Sequence, residues 1–203
     1  MIRLGLPKGR MVSDTGSLCL ALGVDMMPGV LRYQAQVGGD LVGIYLMKAP
    51  DIARMLKRGE LDLGLTGGEW LMEHDVPRGQ WCFGMSSYTA TVCLLMERHD
   101  IREPRLVRSV VTPYPNLARS LLADVVPGAR IVAVAGSSEG LVPDLGDACL
   151  DLVETGSTAA LNGLAVRRRF GVVTTHLARS ENCQVEQVKP VVKLLAAARP
   201  AAS

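Results

Sequence analysis

Aromatic side chains are scarce: the 203 residues include 2 Trp, 4 Tyr and 2 Phe, or 4%. A stacking platform for single-stranded nucleic acid needs several rings along a basic groove, so that class is excluded. Charge of one sign is lacking too. The 22 Lys+Arg and 20 Asp+Glu leave a net +2, too little to coat a polyanion. Any anion bound here is compact and held by local geometry, and no nucleic-acid partner is expected. No apolar run approaches the roughly 18 residues that cross a bilayer, so no membrane partner is expected. The first residues enter a strand-like run and then a charged loop, unlike a signal peptide. The five cysteines, Cys19, Cys82, Cys93, Cys149 and Cys183, are scattered without a CxxC pair or a nearby His. That pattern predicts no protein-built metal site and a reduced, cytoplasmic protein.

What the chain does have is an ordinary globular balance, 48% hydrophobic and 21% charged, enough for one large domain or two small lobes. Its elements alternate. Strands are expected at Ile2–Leu6, Leu41–Met47, Leu61–Leu65, Tyr88–Met96, Arg108–Thr112, Ile131–Val134 and Cys149–Val153. Helices are expected at Ser13–Leu22, Pro50–Arg58, from Glu69, from about Leu117, after the Gly136–Glu139 turn, and at Pro190–Ala198. Such alternation predicts an α/β fold with mainly parallel strands, whose ligands sit at the carboxyl ends of the strands.

Four loops at such ends are rich in Gly, hydroxyls or cations. The most informative follows Asp151-Leu-Val-Glu154: Thr155-Gly156-Ser157-Thr158. Hydroxyls, a permissive glycine and the start of a helix suit a phosphate, and carboxylates just upstream suit ribose hydroxyls. Together they describe a cradle for ribose 5-phosphate; the bland alternative is a polar turn capping a helix. Lys8 and Arg10 lie on a loop stiffened by Pro7 and Gly9, where two cations suit a polyphosphate. Arg32 and Lys48 are further cations. Thr66-Gly67-Gly68 is a second anion-friendly turn, and Gly136–Glu139 completes the four. Tyr114, between two prolines, is a stiffly held ring that could stack on a base or close an apolar patch. His74, His99 and His176 are isolated and read as solvated or structural.

Leu6-Pro-Lys-Gly-Arg10, Asp62–Gly67, Tyr114-Pro-Asn116, Gly136-Ser137 and the run Asp151–Leu164 occur in an order that resembles the ATP phosphoribosyltransferases, over residues 2 to about 180. The length resembles the short form, without a C-terminal regulatory domain. The resemblance implies a two-lobed α/β fold like the type II periplasmic binding proteins, with a central active-site cleft. Residues 1–86 and 168–203 would form the first lobe and 87–167 the second, which carries the phosphoribosyl diphosphate loop. It also implies transfer of N1 of ATP onto the ribose of phosphoribosyl diphosphate, releasing diphosphate, as the first step of histidine biosynthesis. Asp151 and Glu154 would hold the ribose, Thr155 to Thr158 the 5-phosphate, and Lys8, Arg10 and Arg32 the nucleotide or diphosphate. Tyr114 would lie near the base. Mg²⁺, held mainly by the substrate diphosphate, is the implied cofactor. A homodimer and a regulatory subunit resembling histidyl-tRNA synthetase are the implied partners. The sequence departs from the family in lacking a cation within Met85–Thr89, in having Pro113 before Tyr-Pro-Asn, and in carrying Lys48 and His176 where arginines are usual. A paralogue with another nitrogen acceptor, or a non-catalytic nucleotide- or anion-binding protein on the same fold, therefore stays open.

Overall fold

The computed structural model describes residues 1–9 and 11–199, with Ser86 and Ser87 described in their backbone only. In chain order the elements are β1 (Ile2–Pro7), α1 (Val12–Ala21), β2 (Arg32–Val37), β3 (Asp40–Met47), α2 (Ala49–Arg58), β4 (Leu63–Gly67), α3 (Gly68–Glu73) and β5 (Trp81–Glu97). There follow β6 (Ser109–Thr112), α4 (Pro115–Leu122), β7 (Arg130–Ala133), β8 (Ala148–Val153), α5 (Ser157–Leu161), β9 (Leu164–Arg179) and α6 (Val185–Ala197).

The chain divides into two compact units, Met1–Tyr88 with Thr174–Ser203, and Thr89–Val173. The limits read from the sequence, at 86/87 and 168, fall inside β5 and β9, the two strands that belong to both units. Both strands run on across the crossing, and Gly84 and Gly171, which lie near it, do not interrupt them.

In the first unit the strand order is β2-β3-β1-β4-β9. β1 runs parallel to β3 and β4, in register Leu6↔Leu46 and Gly5↔Gly64, while β2 and β9 are antiparallel to their neighbours. One face is buried under α1 and α6, where Leu4, Leu6, Leu63 and Leu65 meet Leu18, Val188, Val191 and Leu195. A second apolar cluster joins Ile52 and Leu56 of α2 to Leu71 of α3 and Ala178 of β9. Each such side chain contributes about 1.5–3 kcal/mol through burial. In the second unit the order is β5-β8-β6-β7. There β6 is parallel to β7 and β8, and β5 is antiparallel to β8. Cys93, Leu95, Val142, Cys149, Ala159 and Leu164 close one of its cores.

The structure corrects the sequence reading in four places. After Gly136–Glu139 the chain makes a single 3-10 turn, Glu139–Leu141, instead of an α-helix. The last helix starts at Val185, five residues ahead of Pro190, which lies inside it. Proline there forfeits one backbone hydrogen bond, which burial of Val188, Val191 and Leu195 outweighs. β2 and β9 were not foreseen: β2 (RYQAQV) is largely polar, and the first part of β9 carries Arg167-Arg168-Arg169. β2 is an edge strand, where such a sequence is tolerated because one side needs no burial, whereas β9 lies inside the sheet and leaves the side chains of its arginine run in water.

Candidate functional site

In the second unit, β6, β7 and β8 run parallel and deliver three segments to one edge: Pro113-Tyr114-Pro115, Gly136–Glu139 and Glu154–Thr158. β8 ties the first two to itself. The Thr112 hydroxyl donates to the Leu150 carbonyl at 2.8 Å and accepts the Tyr114 N–H at 3.0 Å. Asp151, 8% exposed, accepts on Oδ2 from the Ser138 N–H at 2.9 Å and the Ser138 hydroxyl at 2.6 Å. Its Oδ1 accepts the Leu152 N–H at 2.8 Å. Burial pushes the Asp151 carboxyl above its ordinary value, against the pull of those donors. The neighbouring Cys149 thiol is pushed up to about 12, by burial first and by Asp151 second. It is inert. The Ser137 hydroxyl donates to buried Glu139.

Beyond β8, Glu154, Thr155, Ser157 and Thr158 are exposed. Gly156 sits at φ +83°, a left-handed conformation that favours glycine. A Cβ there would meet only Val153 Cγ1, at 3.8 Å, so the space over the turn is open. The Thr155 and Ser157 hydroxyls are 2.9 Å apart, and the Ser157 N–H donates to Thr155 Oγ1 at 3.4 Å. With α5 only five residues long, the turn's own hydroxyls and amides, more than a helix dipole, make the anion-friendly surface.

The strand ends of the first unit carry the cations. Thr15 of α1 donates to the Pro7 carbonyl at 2.6 Å, and the Lys8 N–H donates to Met47 O at 3.0 Å. Lys8 therefore emerges, exposed, at the ends of β1 and β3. Antiparallel pairing Arg32↔Tyr45 brings exposed Arg32 to the same edge, its guanidinium 5.8 Å from the Tyr45 ring centroid. Lys48, also exposed, precedes α2 there. Arg10 lies outside the described residues.

Asp151, expected beside the ribose, is instead engaged by Ser138, and three further expected site residues have other surroundings than the sequence implied. Thr66 is fully buried and its hydroxyl donates to Ala49 O at 2.9 Å. The side of Gly67 is taken by the carboxylate of buried Glu69, so the anion at this strand end is the protein's own. Tyr114 is 5% exposed. Ser138, the partner of Asp151, was missed; a pairing across 13 residues comes from strand topology and leaves no local signal. His176 packs on the Trp81 ring, centroids 4.6 Å apart, with its Nε2 3.1 Å from the Thr174 hydroxyl. Burial, then Arg78, lowers its pKa, in keeping with a structural histidine.

The structure is similar, with TM-score 0.81 and 23% identity over 98% of both chains, to an ATP phosphoribosyl transferase (HisG:HisZ) complex from Thermotoga maritima. It is also similar to the arginine-bound form of truncated ArgBP from T. maritima, at TM-score 0.60 and 12% identity, over 97% of this chain and 93% of that one. Fold and strand-end turn thus define a two-unit α/β protein of the periplasmic-binding-protein class, with a hydroxyl-lined turn closing its β8 strand. Among sequences, the HisG (ATP phosphoribosyltransferase) family matches residues 48–197. The ATP phosphoribosyltransferase of Desulforudis audaxviator is 33% identical over 172 residues, 81% of this chain, which spans 60% of that protein's length. That of Streptococcus gordonii is 31% identical over 180 residues, covering 81% of this chain and 78% of that one. The chain belongs to the ATP phosphoribosyltransferase family, transferases that carry out the first step of histidine biosynthesis.

Proposed function

We propose that this chain joins N1 of ATP to C1 of phosphoribosyl diphosphate, with the phosphoribosyl half bound at the end of β8. The observation that carries this reading is the open, hydroxyl-lined turn at Gly156 directly after Glu154. Backbone amides and the hydroxyls of Thr155, Ser157 and Thr158 would bind the 5-phosphate, and Glu154 the ribose hydroxyls. Asp151 supports the same site from behind, its charge directed at Ser138.

The N1 lone pair forms the new C–N bond while the C1–O bond breaks, its electron pair leaving with diphosphate. Positive charge develops on the ribose and negative charge on the leaving group, so the protein's task is positioning and charge stabilisation. The Glu154 carboxylate suits the first. Lys8, Arg32 and Lys48, with Arg10 as a fourth cation from the sequence, suit phosphate groups of ATP or diphosphate. Among the described residues no three His, Cys, Asp or Glu gather as a metal cage. Mg²⁺ would be held mainly by diphosphate oxygens and water, and would supply charge neutralisation.

The likeness to the HisG:HisZ complex supports a regulatory subunit as partner. A cytoplasmic location fits histidine biosynthesis; no helix among the described residues is long and apolar enough to cross a membrane. The test is incubation with phosphoribosyl diphosphate, Mg²⁺ and ATP, with and without such a subunit, following diphosphate release and the ultraviolet band of the N1 adduct. Adduct formation is expected. Diphosphate release only with another nitrogen acceptor, or tight binding without turnover, would overturn the reading.

A further inference from the structure

Resting on the proposed phosphoribosyl site at β8, we infer that Ser138 is a positioning residue for phosphoribosyl diphosphate, acting through the segment that packs against α5. Ser138 is fully buried, yet both its donors go to one oxygen of Asp151. A buried carboxylate held so by one residue fixes that residue's backbone, because loss of either donor leaves charge unsatisfied. What Ser138 fixes is the chain from Gly136 to Val142. That chain lies alongside the phosphate turn: Val142 is in one apolar cluster with Ala159 of α5, and a Cβ on Gly140 would stand 3.6 Å from Asn162 Oδ1, at the end of α5.

A line of contacts therefore runs from β8, which leads into Glu154, through Asp151 and Ser138, to α5, which begins at Ser157. Both ends of the phosphate turn are held by it: one by β8 directly, the other through Val142 and Ala159. Such indirect support sets the geometry of a site without touching its ligand. Other candidates in the molecule carry less. The half-buried Cys82 and Cys183 are free thiols whose pKa burial raises, and the exposed apolar side chains of α1 and α6 have nothing in the structure to say what covers them.

The experiment compares Ser138→Ala with wild type in the diphosphate-release assay, varying each substrate in turn, with thermal melts alongside. The expected result is a KM for phosphoribosyl diphosphate raised about 10- to 100-fold, the scale of a lost supporting contact around a ligand site. The KM for ATP should stay within about twofold. Asp151→Asn, which keeps the shape and one acceptor oxygen, should show the same bias towards the phosphoribosyl substrate and serves if Ser138→Ala does not fold. Equal changes in both KM values, or none, overturn the inference and leave the proposed function standing. No turnover by the wild type with any acceptor overturns the proposed function itself, and this inference with it.

Discussion

One carboxylate of Asp62 takes three hydrogen bonds from Arg3: from its backbone N–H at 2.7 Å, its Nε at 3.0 Å and its Nη2 at 2.8 Å. The pair sits where β1 meets β4, and Asp62 O also accepts the Ser180 N–H after β9. Burial would raise the Asp62 pKa, but the Arg3 donors outweigh it and hold it below the ordinary value of 3.8. A carboxyl depressed in the folded state contributes stability above its unfolded pKa and loses it as pH falls through the folded one. Melts should therefore show Asp62→Asn destabilised by about 1–3 kcal/mol at pH 7, with the gap to wild type closing below about pH 4. A pH-independent gap would assign the effect to packing.

Gly156 carries the turn proposed to bind the 5-phosphate, at φ +83°. Gly156→Val should lose measurable affinity for phosphoribosyl diphosphate in calorimetry, because the side chain covers the backbone that a phosphate must approach. Since a Cβ meets only ordinary contact there, the structural cost is conformational, about 1–2 kcal/mol, and a folded protein with a modestly lower Tm is expected. Unchanged affinity would rule out this turn as the phosphate site.

Glu154 is exposed at the end of β8, so Glu154→Gln should fold like wild type. Its kcat/KM should fall roughly ten- to thousandfold, the range for one lost positioning or charge-stabilising contact. Steady-state kinetics with phosphoribosyl diphosphate varied is the check; unaltered kinetics would make the carboxylate structural.

Lys8 and Arg32 reach the same strand edge of the first unit. Substituting either by Ala should raise the KM for ATP more than that for phosphoribosyl diphosphate. Arg32→Lys should also be felt, since lysine lacks the planar fork that grips phosphate with two bonds. A loss confined to phosphoribosyl diphosphate would move these cations to the other substrate.

Where the sequence reading held, burial was the reason. β1, α2 and β8 match their expected limits to within a residue, because each is a short apolar or amphipathic run bounded by Gly, Pro or charge. β2 and β9 escaped because they pair through their backbones with side chains half in water, leaving little hydrophobic pattern to read. At the site, the Glu154–Thr158 turn was legible from its run of hydroxyl residues and glycine, and its residues other than Gly156 are exposed. The environments of Thr66, Tyr114 and Asp151 were not. Each depends on what a neighbouring strand or helix brings within 3 Å, such as Ala49 O for Thr66 or Ser138 for Asp151.

The way β9 divides between the units sets an order for synthesis. All of Thr89–Val173 is translated before Thr174–Arg179 supplies the partner of β4, and before α6 delivers Val188, Val191 and Leu195 to the first core. On the ribosome the second unit can close while the first, although begun earlier, still exposes a β4 edge and the apolar face that α6 will cover. The nascent chain thus carries its aggregation-prone surface at its older end, and the segment that quenches it emerges only after the whole second unit.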